Sequence, residues 1–392
     1  MSSISLLRSG GFVVSLLACG NHTREASGPS SDTTVGVDSA STPTISPLSV
    51  RQVTTLRTAR AAHTATTLKS GQILVVGGMG NGGSSLASAE LYHPQNNLVE
   101  EIGSLAEPRV SHTATPLSDG RVLIAGGYNG DYLRSLEILD PSTKRFSRAG
   151  SLIEGRSGHT ATVLSDGRVL FAGGVSSGWT FLKSAEIYDP RTDRSEPVGS
   201  MSVSREGHTA TLLADGRVLI VGGHSGRRPN VQVYEAAELF NPLTRKFETT
   251  GALGTARHKH DAIKLTDDRV LVIGGADRSD RVHFSFTEIY HPKSAAFSPG
   301  PSMANKRYKI AGTSVLLPGG DVLVTSGAEV AEVLEIRQWR FRTVRGRLPA
   351  AYRFSAAAAS IEGDVFITGG YSDENENTGG VWRFTKIEAH GR

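Results

Sequence analysis

Gly167-Arg168-Val169-Leu170-Phe171-Ala172-Gly173-Gly174 is the stretch that decides the fold. The octet recurs from Gly120 to Gly127 as G-R-V-L-I-A-G-G and from Gly216 to Gly223 as G-R-V-L-I-V-G-G, with degenerate copies before and after. One unit has been copied along the chain. Around the octet each unit reads Arg-x-x-His-Thr-Ala-Thr-x-Leu, a turn, the apolar run and its doublet, and a variable stretch. Ala-Glu-Ile-Tyr-Asp-Pro follows, then an aromatic residue and Gly-Ser-Met. Asp166-Gly167 between apolar runs favours a tight two-residue hairpin, because both residues tolerate positive φ. Val169 to Ala172 is apolar without alternation, which suits a strand covered on both faces. Gly173 and Gly174 permit a close approach or a bulge. Asp189-Pro190 ends a third strand, since proline cannot donate to a ladder. The pattern predicts four short strands per unit.

The doublets begin at Gly77, Gly126, Gly173, Gly222, Gly274, Ser326 and Gly369, about 43 to 52 residues apart, the range of a propeller blade. The doublet, the later aromatic (Tyr92, Tyr188, Phe240, Tyr290) and this period resemble the Kelch motif over roughly residues 50 to 388. The resemblance implies an all-β fold, a seven-bladed Kelch-type β-propeller of four-stranded antiparallel blades. Two units depart from the pattern. The sixth has Ser326-Gly327 for the doublet and Leu334-Glu335-Ile336-Arg337 where the aromatic and proline should be. The seventh is short and has Phe354-Ser355-Ala356 in place of the histidine segment. Val50 to Leu56 reads as an orphan fourth strand that closes the ring beside Val381-Trp382-Arg383-Phe384. Such pairing of the terminal strands removes a free edge. Residues 389–392 are left as a tail.

The amino terminus has a different character. Residues 1–18 carry one basic residue, Arg8, and an apolar run too short to span a bilayer, as in a signal peptide. Leu16-Leu17-Ala18-Cys19 resembles the bacterial lipobox, which implies cleavage before Cys19 and acylation of that residue. Cys19 is also the sole cysteine, so it can form no internal disulfide. Gly20 after it resembles lipoproteins passed to an outer membrane. Residues 19–49 are rich in Ser, Thr, Pro and Gly and should form a flexible tether. The localisation expected is the bacterial cell envelope, lipid-anchored, with a secreted or periplasmic chain as the alternative.

With 45 glycines and 6% aromatic residues the composition suits short strands and tight turns. The net charge is +4, but Lys and Arg are scattered through every unit, which argues against nucleic-acid binding. A monomer without cofactor is expected.

His63, His112, His159, His208 and His260 occupy one position in five units and would ring one mouth of the central channel. A ring that wide cannot bring three imidazoles within about 2.1 Å of one metal ion. Their expected role is structural, bonding a backbone group of the same or the next unit. Arg60, Arg109, Arg156, Arg205, Arg257, Arg307 and Arg353 are expected to pair with repeat acids such as Glu90, Glu137, Glu186, Glu238 and Glu288.

Function should lie where the copies disagree, in the loops after each doublet. The partner-binding candidates there are Tyr128, Tyr132, Trp179, Phe181, Arg227, Arg228, Arg278, Arg281, His283 and Phe284. Arg307, Tyr308 and Arg353 join them from the segments leading into the innermost strands, where His260 and Lys309 also lie. Such a face can read an acidic peptide or an anionic sugar. The function expected is a surface-tethered, non-catalytic module that binds a protein or glycan. The alternative is a carbohydrate-active enzyme of the mutarotase or epimerase kind at the channel mouth, needing only a carboxylate and an arginine. Kelch-type propellers also include galactose oxidase, whose copper site resembles two tyrosines and two histidines with one tyrosine cross-linked to a cysteine. With its sole cysteine at position 19, this chain is not expected to share that chemistry.

Overall fold

The computed structural model describes residues 45–386, so the signal-peptide, Cys19 and tail readings lie outside the described residues. The repeat unit is an antiparallel sheet of four strands. In the third unit these are Thr160–Val163, Val169–Ala172, Ala185–Asp189 and Arg194–Pro197, paired in sequence order. The second strand is the apolar run of the octet, buried at every position, with Val169 set opposite Val163 on one side and Tyr188 on the other. Tyr92, Tyr188, Phe240 and Tyr290 are fully buried, which explains the aromatic in the third strand.

The hairpin differs from expectation. Only Gly167 has positive φ (84°), Gly167 N–H donates to the Leu164 carbonyl, and Leu164 N–H donates to the Arg168 carbonyl. It is a three-residue loop closed by a left-handed glycine, and Asp166 instead accepts from Arg168 Nε at 2.7 Å. Both doublet glycines also have positive φ. A Cβ on Gly173 would lie 2.6 Å from the Arg205 carbonyl oxygen, so the doublet is where the next unit's backbone presses in.

Five such sheets stand separately, not seven. The sixth and seventh units share one eight-stranded sheet. In it the strand Ile45–Thr55 pairs antiparallel with Gly380–Lys386 and parallel with Arg340–Arg345. The orphan strand thus takes its expected place beside the carboxy-terminal strand. It also begins at Ile45, within the stretch read as flexible linker, because its first residues find a second ladder on the neighbouring unit.

Each core cluster joins two successive units. Leu123, Ala125, Leu136 and Ile138 of the second meet Val169, Phe171 and Tyr188 of the third. Ile73, Val75 and Tyr92 of the first meet Phe366 and Val381 of the seventh, so the ring closes. Its inner wall is made of the first strands of the units, each beside the next, and Thr67 Oγ1 donates to the Ala359 carbonyl at 2.6 Å where last meets first.

Candidate functional site

The residues repeated in every unit are structural. Arg156 is buried, and its guanidinium donates to the Gly173 and Ser184 carbonyls at 2.8 and 3.2 Å and to Glu186 at 2.8 Å. Arg60, Arg109, Arg205 and Arg257 repeat this with Glu90, Glu137, Glu238 and Glu288 at 2.5 to 2.7 Å. The second carboxylate oxygen of Glu186 accepts the backbone N–H of Ile153 at 2.6 Å, so each pair also fastens the crossing from the preceding unit. Arg307 belongs to the same series. It is fully buried and bonded to Glu332 at 2.8 Å, so it cannot contact a partner, contrary to the sequence reading.

The histidines bridge neighbouring units, but to a hydroxyl where a backbone group was expected. His112, His159, His208 and His260 Nε2 lie 3.1 to 3.2 Å from the hydroxyls of Thr64, Thr113, Thr160 and Thr209, and His63 meets Thr368 at 2.8 Å. Burial holds all five below the usual imidazole range, His112 and His208 at about 3.

The two residues between arginine and histidine vary, and they build the mouth. Ala62, Ser111, Gly158, Gly207, Lys259, Lys309 and Phe354 all have φ between 50 and 63°. Their backbones form a girdle of N–H to C=O bonds, as from Lys309 to Lys259 at 2.8 Å, Phe354 to Lys309 at 3.1 Å and Ala62 to Phe354 at 2.8 Å. Between Gly158 and Gly207 the Glu206 carboxyl takes the space, and a Cβ on Gly158 would meet its Oε1 at 2.4 Å.

On this girdle the fourth to seventh units gather a polar cluster. Lys259 Nζ donates to both Asp280 oxygens at 3.1 and 3.0 Å, and His258 Nε2 lies 3.0 Å from Asp280 Oδ1. The His258 ring meets that of His224 at 4.5 Å, and His224 Nε2 is 3.8 Å from Glu206 Oε2. Lys309 Nζ donates to Tyr371 Oη at 2.7 Å. Arg353 pairs with Asp373 and lies over the Tyr308 ring, on which His283 stacks at 3.7 Å. Despite the cost of burial, the His258 hydrogen bond and the Lys259 ammonium hold Asp280 well below the usual carboxylate range, while burial lowers His258 itself below the usual imidazole range. Burial raises Glu206 to about 7 against the pull of Lys259. Burial, with Lys259 beside it, lowers Lys309 to about 7.

The Kelch motif matches residues 109–153 and 155–202, the second and third units. A solved fungal alcohol oxidase of the AA5 family, in complex with copper, superposes with a TM-score of 0.67 at 14% identity, covering 88% of this chain and 76% of that one. The chain folds as an all-β propeller that carries the Kelch motif in two of its units. No curated protein matches it in sequence. The identity to the oxidase is low enough that the likeness concerns the fold alone.

The mouth of this propeller does not fit copper. Its acid Asp280 is already paired with Lys259 and hydrogen-bonded by His258, two further basic groups, Lys309 and Arg353, stand beside it, and among the described residues no three His, Cys, Asp or Glu side chains are grouped to hold a metal. Arg353 enters this cluster because it does not belong to the buried series. It bridges Tyr371 as Val110 bridges Tyr128, and Tyr352 takes the arginine's place.

Of the sequence candidates, the propeller brings His283, Tyr308 and Arg353 to the cluster, with Arg228 3.5 Å from Asp280. Tyr132 and Trp179 form a second group at the loops, with ring centroids 6.5 Å apart and Arg227 3.3 Å over the indole. Phe181 lies against His224, Arg278 and Arg281 are exposed, and Tyr128 and Phe284 are buried among neighbouring rings. Glu206, His258, Lys259 and Tyr371 escaped the sequence reading. Their signal was present as charged or aromatic residues at the variable positions of Arg-x-x-His, or just after a doublet, where other units carry small ones.

Proposed function

We propose that this Kelch propeller is a non-catalytic binding module that takes a protein or glycan partner at the mouth bearing the Lys259, Lys309 and Arg353 cluster. We count it as seven blades, the eight-stranded sheet holding two of them. The observation that carries the reading is that Lys259, Lys309 and Arg353, from three successive units, stand around one half-buried carboxylate, Asp280, and the Tyr308 and Tyr371 rings. In our reading Cys19 carries a lipid, residues 20–44 act as a tether, and the propeller faces outward from a bacterial envelope membrane as a monomer.

The test is capture from a detergent-solubilised cell envelope by the full chain. Two variants serve as controls, one with Tyr308 and Arg353 changed to alanine, the other with Trp179, Arg228 and Arg281 changed. Loss of a captured protein or glycan with the first variant places binding at the mouth, and loss only with the second moves it to the loop tips. Capture of nothing by any chain defeats the reading.

One observation favours an enzyme. Glu206, held near 7 at the same mouth, can give or take a proton at neutral pH. Faster equilibration of freshly dissolved sugar anomers, abolished by Glu206→Gln, would establish that alternative.

A further inference from the structure

We infer that the mouth contains a site for one carboxylate, centred on the Lys309 side chain and filled by an acidic side chain of a partner polypeptide. This rests on the binding reading and names the group that is bound.

Lys309 is only 8% exposed, and the backbone girdle fixes its main chain. Its Nζ donates to a neutral phenol, Tyr371 Oη, and among the described residues no carboxylate lies within ion-pair distance of it. Its neighbours differ in this respect: Lys259 has Asp280, and Arg353 has Asp373, whose side chain is 70% exposed. The groups facing Lys309 from the surrounding elements are Lys259, Asp280, Arg353, Arg228, His283, Tyr308, Phe354 and Tyr371. Positive charge is in excess there, and an ammonium out of water without a counter-ion is costly. The protein meets that cost by letting the amine lose its proton near neutral pH. A carboxylate arriving from outside removes the cause and restores the proton.

The rings argue for a side chain on a peptide over a sugar. Tyr308 is stacked by His283 and covered by Arg353, and the Trp179 indole lies under Arg227. These rings are already engaged by neighbours, so they offer a sugar little free stacking surface, whereas a point charge on a slender stem needs only the ammonium and guanidinium.

The test is calorimetric titration of the full chain with a blocked glycine-serine peptide carrying one glutamate. Its glutamine counterpart, glucuronate and inorganic phosphate are the comparison probes, each measured in two buffers of different ionisation heat. The glutamate peptide alone should bind, taking up close to one proton at pH 8, with affinity falling about tenfold per pH unit above 7. Lys309→Met should weaken binding at least tenfold and abolish the uptake, and Lys309→Arg should bind without uptake. Binding without proton uptake, equal binding of the glutamine peptide, equal binding of glucuronate or phosphate, or no heat from any probe overturns the proposal. If Lys309→Met does not fold, the uptake by the unsubstituted chain decides. Envelope capture that survives Lys309→Met leaves the binding module standing and removes only the carboxylate site.

Discussion

The Asp261 carboxylate of the fifth unit accepts the backbone N–H of Ser314 in the sixth at 2.7 Å, and those of Gly312 and Thr313 at 3.0 Å each. At this one junction the threonine-histidine bridge is replaced on both sides. Asp261 follows His260 where Thr64 follows His63, and Ile310 stands at the histidine's position. The extra residues before Ser314 turn their amides toward the carboxylate. Asp261→Ala leaves these three amides, and that of Ala262, without this acceptor and should cost on the order of 3 kcal/mol, with Asp261→Asn costing less because its amide keeps one acceptor oxygen. Urea unfolding of both variants measures this, and a loss below about 1 kcal/mol for alanine contradicts the bridge.

The buried pairs make a second, sharper expectation. Arg156→Met strands Glu186 among the Ile153 amide and apolar neighbours, and breaking a buried pair from one side costs about 3 to 5 kcal/mol. Arg156→Lys should lose a good part of that, since one ammonium cannot span the Gly173 and Ser184 carbonyls and Glu186 together. A lysine variant with parental stability shows that charge alone matters there.

The terminal strand tests closure. Removing residues 45–56 bares the edges of Arg340–Arg345 and Gly380–Lys386 together, so the truncated chain should aggregate or lose cooperative unfolding. Deleting residues 205–256, one whole unit, should act likewise by opening the ring. Light scattering and a thermal melt decide, and a soluble, cooperatively melting deletion is incompatible with the ring.

The repeat made the framework readable, because residues fixed by the sheet and its locks must be the same in every unit. Arg60, Glu90 and His63 announce their roles by recurrence. The site announced itself only in part, for the complementary reason: Lys309 and Arg353 are legible at the entries to the innermost strands, whereas Glu206, His258 and Lys259 are not, and all five stand at two positions that the repeat leaves open and the girdle brings together. Arg353 shows how the reading slips. In the seventh unit an arginine stands one place after the buried position, and Tyr352 packs where the guanidinium would be, so of the two sequence placements of Arg353, among the paired arginines and at the mouth, only the second holds. The early start of the first strand was hidden too, since its parallel partner Arg340–Arg345 lies almost three hundred residues away.

The bridging histidines give the fold a pH dependence of definite sign. His112 and His208 have folded-state values of about 3, against about 6.5 when exposed in the unfolded chain. The unfolded state therefore binds more protons everywhere between those values, and stability falls as pH drops through 6.5 toward 3. Each such histidine contributes about 1.4 kcal/mol per pH unit in that window, so two together remove about 4 kcal/mol by pH 5. Above pH 7 they contribute no slope. Lys309, lowered to about 7, adds a loss of stability from pH 8 down to 7, and Glu206, raised to about 7, offsets part of the fall below it. The histidine contribution is therefore read from thermal melts as the difference between the unsubstituted chain and a histidine variant. His112→Gln should cost stability at pH 8, where its bond to Thr64 is altered, yet reduce the loss between pH 6.5 and pH 5 by about 2 kcal/mol. An unchanged slope in that variant means that His112 is not protonated on unfolding, and the buried neutral bridge is then wrong.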